Sequence, residues 1–166
     1  MIFGKYRNTL GYKSDTISIY APISGKLIPI TEVSDPTFSE ELLGKGVAIR
    51  PSSGQVVSPV HGTVTHLFQT GHAVTLTSQC GTEVLIHIGL DTVRLKGIHF
   101  NPHVQQGTIV KPGDLLIKFD PIAITFKGFD IVTPIVICNS DEYDDFSFPE
   151  EKFVHEGDEI ISFIKK

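Results

Sequence analysis

The chain of 166 residues has no surplus of cations: 14 Lys and Arg stand against 19 Asp and Glu, a net charge of -5. A protein that grips a nucleic-acid backbone needs the opposite balance, so nucleic acid is not an expected partner. Cysteine is scarce. Cys80 and Cys138 stand alone with no CxxC spacing, which argues against a disulfide framework or a thiolate zinc site and fits a reducing, cytoplasmic setting. No apolar run approaches the roughly 20 residues of a membrane span. The first 16 residues carry Lys5, Arg7 and Lys13 but lack the apolar stretch of a secretory signal. Ile2, Phe3, Tyr6 and Leu10 fall at helical spacing there, which allows at most a peripheral touch on a membrane surface. A variable, flexible terminal segment is the plainer reading.

What is present is the composition of one globular domain, 40% hydrophobic and 20% charged. The 15 glycines and 10 prolines are scattered rather than gathered into a linker. They cut the chain into short pieces rich in Val, Ile, Thr and Phe, which is all-β punctuation. Strands are expected over 17–20, 26–30, 46–50, 62–68, 73–77, 83–88, 114–119, 131–138 and 159–164. No segment has a long, capped 3.6-residue period. Thr37–Leu43 is expected to form a helical turn or two with Phe38, Leu42 and Leu43 on one side. Two internal echoes point to duplication. Ala21-Pro22-Ile23-Ser24-Gly25 resembles Ser58-Pro59-Val60-His61-Gly62, and Val110–Phe119 resembles Val154–Phe163, each of the latter pair with a Gly-Asp turn entering a strand. The expected fold is a single-domain antiparallel β-sandwich or barrel built on a duplicated motif, spanning 17–166.

Of seven histidines, His61, His66, His99, His103 and His155 lie beside Gly, Pro or charged residues and receive no role. His87 is different, because it sits inside Val84-Leu85-Ile86-His87-Ile88. Burying an imidazole there is costly unless its nitrogens find partners, so on that ground alone a hydrogen-bonded core histidine is the better reading. Strand alternation, however, puts Glu83, Leu85 and His87 on one face and Val84, Ile86 and Ile88 on the other. Gly89 lets backbone approach, and Asp91 and Thr92 leave the strand with polar groups. His72 lies in the turn Thr70-Gly71-His72-Ala73. If the strand before it adjoins the one carrying His87, the two imidazoles meet. Such a pair suits phosphoryl transfer, with one neutral imidazole as nucleophile and the other, with the Thr70 hydroxyl, as donors to phosphoryl oxygens. It equally suits zinc binding or general acid–base catalysis. Spacing does not choose among these.

The segment Gly81–Val93 reads Gly, two residues, three aliphatics, His, aliphatic, Gly, aliphatic, any residue, Thr, Val. In this it resembles the glucose-type enzyme IIA domain of the bacterial phosphoenolpyruvate-dependent sugar phosphotransferase system. The likeness continues through 21–25, 58–62, 70–73, Leu95-Lys96-Gly97 and Thr133-Pro134-Ile135-Val136. It implies that His87 accepts a phosphoryl group from the phosphocarrier HPr and passes it to a cysteine on the IIB domain of a sugar permease. His72 would stabilise phospho-His87, Thr70 would join that network, and Asp91 would meet cations on HPr. Phe38, Leu42, Leu43, Val47, Phe68 and Val93 would form an apolar docking rim. No cofactor is required, although zinc held by His72, His87 and a partner's carboxylate in a complex fits the family. A free-standing, monomeric component is expected, with no permease sequence attached. Two departures stand out: Pro36 and Thr37 make the rim less apolar, and Pro121–Asp130, with Gly128 and two phenylalanines, is not expected to be helical where the family has a helical connection.

Three rivals are weighed beside it. A peptidoglycan-type zinc hydrolase of similar architecture uses a His-x-His pair, but Leu85 and Gly89 occupy the positions two residues either side of His87. A regulatory docking module without transfer would not need both histidines and Thr70. A biotinyl or lipoyl carrier would need a lysine in a tight turn with its usual flanks, and none is found.

Overall fold

In a computed structural model, residues 15–166 are described. The expectations placed on 1–16, a flexible segment with peripheral membrane contact, therefore fall outside the described residues apart from Asp15 and Thr16. Along the chain run β1 (Thr16–Tyr20), β2 (Gly25–Pro29), α1 (Pro36–Ser39), β3 (Lys45–Pro51), β4 (Gln55–Val57), β5 (Gly62–Leu67), β6 (Ala73–Ser78) and β7 (Glu83–His87). They are followed by β8 (Phe100–Pro102), β9 (Ile109–Val110), β10 (Leu115–Phe119), α2 (Pro121–Phe126), β11 (Thr133–Ile137), β12 (Tyr143–Ser147), β13 (Lys152–Val154) and β14 (Glu159–Lys165).

Every ladder is antiparallel. An eight-stranded sheet runs β13-β2-β3-β11-β7-β6-β5-β9, and two three-stranded sheets run β1-β14-β12 and β4-β10-β8. The all-β expectation is met. Alternation holds along β7: Val84, Ile86 and Ile88 enter the main core with Val47, Ile135, Leu116 and Phe163. Leu85, on the opposite face, joins a smaller cluster with Phe38, Ala48, Ala73 and Val136. Burying one such aliphatic side chain contributes about 2 kcal/mol. The central strand is thus covered on both sides, and His87 ends it on the face of the smaller cluster.

The internal echoes become hydrogen bonds. Ala21 N donates to Asp158 O (2.7 Å) and Gly157 N to Ala21 O (3.0 Å). In the second copy Ser58 N donates to Asp114 O (2.8 Å) and Gly113 N to Ser58 O (2.9 Å). The copies also tie to each other, Tyr20 N to Pro59 O (3.4 Å) and Val57 N to Pro22 O (2.8 Å). Each Gly-Asp turn is closed the same way, by the Asp114 carboxylate accepting from Lys111 N and that of Asp158 from His155 N. The motif is duplicated in its bonding as well as in its letters.

Two local expectations need correction. Thr37–Leu43 is not one helical face: α1 spans only Pro36–Ser39, and Glu41 adopts a left-handed φ of 55° that ends it. Leu42 and Leu43 lie beyond it. The stretch after Pro121 does form a helix, because Asp120 caps it by accepting from Ala123 N (3.0 Å), Pro121 starts it, and Ile124 anchors it in the core. Gly128 falls just outside, at a positive φ where a helix stops.

Candidate functional site

The ladder between β6 and β7 pairs Ala73 with His87, and Ile88 N extends it by donating to His72 O (2.8 Å). That register brings the imidazoles together, their ring centroids 5.0 Å apart and nearly perpendicular. The strand responsible is β6, which follows His72. The strand before it, β5, is separated from β7 by β6. The expected meeting of the two rings therefore occurs, by a different neighbour.

His87 is half-buried, and its Nδ1 lies 2.7 Å from Gly89 O. A carbonyl only accepts, so Nδ1 carries the proton and Nε2 keeps its lone pair. Burial lowers the pKa of His87, against the Gly89 carbonyl and the carboxylates of Asp35 and Asp91, which push it up. His72 is 3% exposed, and burial, then the neighbouring His87, bring its pKa down to about 4. Its Nδ1 is 2.5 Å from the Thr70 hydroxyl. Around the pair stand aromatic rings: Phe38 lies 5.2 Å from His87, and Phe68 and Phe100 lie 5.5 Å and 6.4 Å from His72, centroid to centroid. Both imidazoles are thus held toward the uncharged form among aromatic rings, and with Nδ1 of His87 bonded to Gly89 the nitrogen that keeps its lone pair is Nε2.

The turn after β7 is tightly built. Gly89 has φ +76°, and a Cβ there would lie 2.6 Å from Thr92 Cγ2 and 2.8 Å from Asp130 O. Leu90 N donates to that same Asp130 carbonyl (2.9 Å). The Thr92 hydroxyl donates to Ile88 O (2.5 Å).

Of the residues assigned to the docking rim, Phe38 packs against His87, and Phe68 lies between His66 and His72. Leu42, Leu43 and Val93 are exposed, as is Asp91. Val47 and Phe38 are the exceptions. Val47 is 2% exposed, in the main core, because β3 is an interior strand covered on both faces, and Phe38 is 4% exposed, in the smaller cluster. Neither offers free surface to a partner.

Asp35 was missed by sequence reasoning, although its carboxylate is close enough to raise the pKa of His87. Asp35-Pro36 reads as a helix start, and Asp35 does accept from Thr37 N (3.0 Å). Nothing in the sequence says that this turn folds over β7. Asp35, Asp91 and Asp130 line one open cleft of about 590 Å³ together with Arg94, Lys127 and Phe129. Among the described residues no three His, Cys, Asp or Glu side chains converge where they could hold a metal ion. His61, His66, His103 and His155 are exposed and His99 is half-buried.

Fold and site together define a class: an antiparallel β-scaffold that carries a neutral histidine pair among aromatic rings, His87 half-buried and His72 buried beside it. The family model described as phosphoenolpyruvate-dependent sugar phosphotransferase system, EIIA 1, matches residues 17–143, and the chain belongs to that family. It is 49% identical over 125 residues to the PTS system glucose-specific EIIA component of Oceanobacillus iheyensis, covering 75% of this chain and 76% of that protein. It is 50% identical over 126 residues to the PTS system beta-glucoside-specific EIIBCA component of Dickeya chrysanthemi, covering 76% of this chain but only 20% of that longer protein. Among solved structures, glucose permease IIA from Mycoplasma capricolum superposes with a TM-score of 0.83 at 35% identity, covering 89% of this chain and 95% of the other.

Proposed function

We propose that this protein is a phosphoryl carrier of the sugar phosphotransferase system, a phosphotransferase component that accepts phosphate from phospho-HPr on His87 and delivers it to a cysteine of the IIB domain of a sugar permease. The observation that carries this reading is the His72–His87 pair, 5.0 Å apart with His87 Nδ1 tied to Gly89 O. In the first transfer the Nε2 lone pair forms an N–P bond as the donor's bond to phosphorus breaks. In the second that N–P bond breaks as the cysteine thiolate attacks. Neutral His72 supports both: when the Thr70 hydroxyl donates to its Nδ1, its Nε2–H is free to donate to a phosphoryl oxygen. The paired imidazoles and their hydrogen-bond partners supply position, and the chemistry needs no resident cofactor. Zinc held by His72, His87 and a partner's carboxylate in a complex would use the same imidazole nitrogens, two of its usual four ligands.

Docking would use Leu42, Leu43, Phe68 and Val93 as apolar contacts, with buried Phe38 packed behind His87 and with Asp91 and Asp35 facing cations of the donor. One face serves donor and acceptor in turn, which favours a monomer. A cytoplasmic location follows from those partners, and no helix among the described residues is long and apolar enough to cross a membrane. The relatives carry both glucose and beta-glucoside names, and the sugar is selected in the permease.

Incubation with phosphoenolpyruvate, the first enzyme of the relay and HPr should add one acid-labile, base-stable phosphate, mapped to His87 by mass spectrometry. His87→Ala should abolish it. His72→Gln should accept phosphate and fail to pass it on. A wild-type protein that stays unlabelled overturns the proposal, and chelator-sensitive cleavage of a peptide or glycan would replace it with zinc hydrolysis.

A further inference from the structure

Ile88, the residue directly after the acceptor, has both of its peptide groups held. Its N–H donates to His72 O (2.8 Å), and its carbonyl accepts from the Thr92 hydroxyl (2.5 Å). The next carbonyl along, that of Gly89, is the one that takes the proton of His87 Nδ1. Thr92 is 0% exposed, so it cannot touch a docking partner. Its methyl group lies on the Gly89 side, where an added Cβ would meet Thr92 Cγ2 at 2.6 Å. One buried side chain thus fixes the turn from both ends, by its hydroxyl at Ile88 and by its methyl at Gly89.

We infer that Thr92 is a positioning residue for phosphoryl transfer, holding the Ile88–Gly89 turn so that the Gly89 carbonyl keeps the His87 proton on Nδ1 and leaves Nε2 free. The inference rests on His87 being the acceptor. An imidazole not held this way exchanges between tautomers, and in one of them Nε2 carries the proton and has no lone pair for phosphorus. The loss of the hydroxyl would also leave the buried Ile88 carbonyl without its partner, which loosens the turn further. No partner contact and no charge is involved. Thr92 acts only through the geometry of its neighbours.

The test is the isosteric variant Thr92→Val beside Thr92→Ser, with long-range proton–nitrogen spectra of the full chain labelled at histidine nitrogens. Thr92→Ala replaces the valine variant should that one not fold. Thr82→Val serves as the control, since Thr82 is equally buried and its hydroxyl bonds Tyr143 Oη (3.0 Å), a contact of similar kind outside the histidine site. In the wild type His87 should show its proton on Nδ1. In Thr92→Val a fraction should move to Nε2, and the rate of phosphate uptake from phospho-HPr should fall roughly tenfold or more. Thr92→Ser should restore both, and Thr82→Val should change neither. A wild-type tautomer and rate in Thr92→Val overturn the inference, as does an equal tautomer change in Thr82→Val. Failure of the acceptor reading shows separately, as labelling that survives His87→Ala.

Discussion

Gly89→Ala is the most incisive perturbation of the turn that follows the acceptor strand. Two costs add. At φ +76° an alanine sits in the left-handed region, at roughly 1–2 kcal/mol. Its Cβ would also lie 2.6 Å from Thr92 Cγ2 and 2.8 Å from Asp130 O, so the turn or the 130 peptide must shift, at about 1–3 kcal/mol more. The sum is about 3 kcal/mol, or a fall in Tm of about 10 °C for a domain of this size. Gly113 separates the two costs: its φ is +92°, yet an added Cβ meets nothing within 4 Å. Gly113→Ala should therefore lose only about 5 °C. Thermal unfolding of both variants gives the contact cost by difference, and phosphate uptake should fall roughly a hundredfold in Gly89→Ala alone, because the displaced carbonyl no longer holds His87. Equal losses of Tm in the two variants, or unchanged uptake in Gly89→Ala, would refute the claim that close approach at Gly89 shapes the site.

Acid should destabilise the fold through His72. Its folded pKa of about 4 lies below the ordinary value of 6.5, so the unfolded chain binds its proton first, and stability is lost as pH falls from 6.5 to 4. About 3 kcal/mol is at stake, and urea unfolding at pH 7, 5 and 4 should show it, with a flatter profile for His72→Gln. Because Asp35 and Asp91 both raise the pKa of His87, Asp35→Asn and Asp91→Asn should each lower its titration midpoint, read by NMR; a midpoint that rises in either would contradict the electrostatics described.

The strands carrying core aliphatics at alternate positions were legible because that alternation is what buries them. The face of His87 was legible for the same reason: one register decides every side chain on β7. The strands left unread were β4, β8, β9, β12 and β13. They are two to five residues long, and β12 reads Tyr-Asp-Asp-Phe-Ser, with too little apolar pattern to announce pairing. The helix α2 was masked by Ile122 and Phe126, which are exposed rather than buried and so spoil any apolar stripe. The burial of Val47 is not legible in the sequence because exposure depends on how many strands flank β3, which only the sheet order tells. The role of Asp35 is equally hidden, because its nearness to His87 links α1 to β7, positions some fifty residues apart in the chain.

The cross-ties at Pro22 and Pro59 have a further consequence, for assembly. Each half of the molecule completes itself only by borrowing an acceptor from its counterpart, and the first half also needs the turn at Gly157 and Asp158, more than a hundred residues downstream of Ala21. Strand β14, which supplies Ile160, Ile161 and Phe163 to the interior, arrives with that turn. A nascent polypeptide that has already emerged past both imidazoles still lacks the fastening that closes its scaffold. Such remote pairings form late, because loop-closure entropy must be overcome before they reward the chain. Competence to carry phosphate accordingly depends on β14 and the Gly157–Asp158 turn as much as on the segments that bear the two histidines.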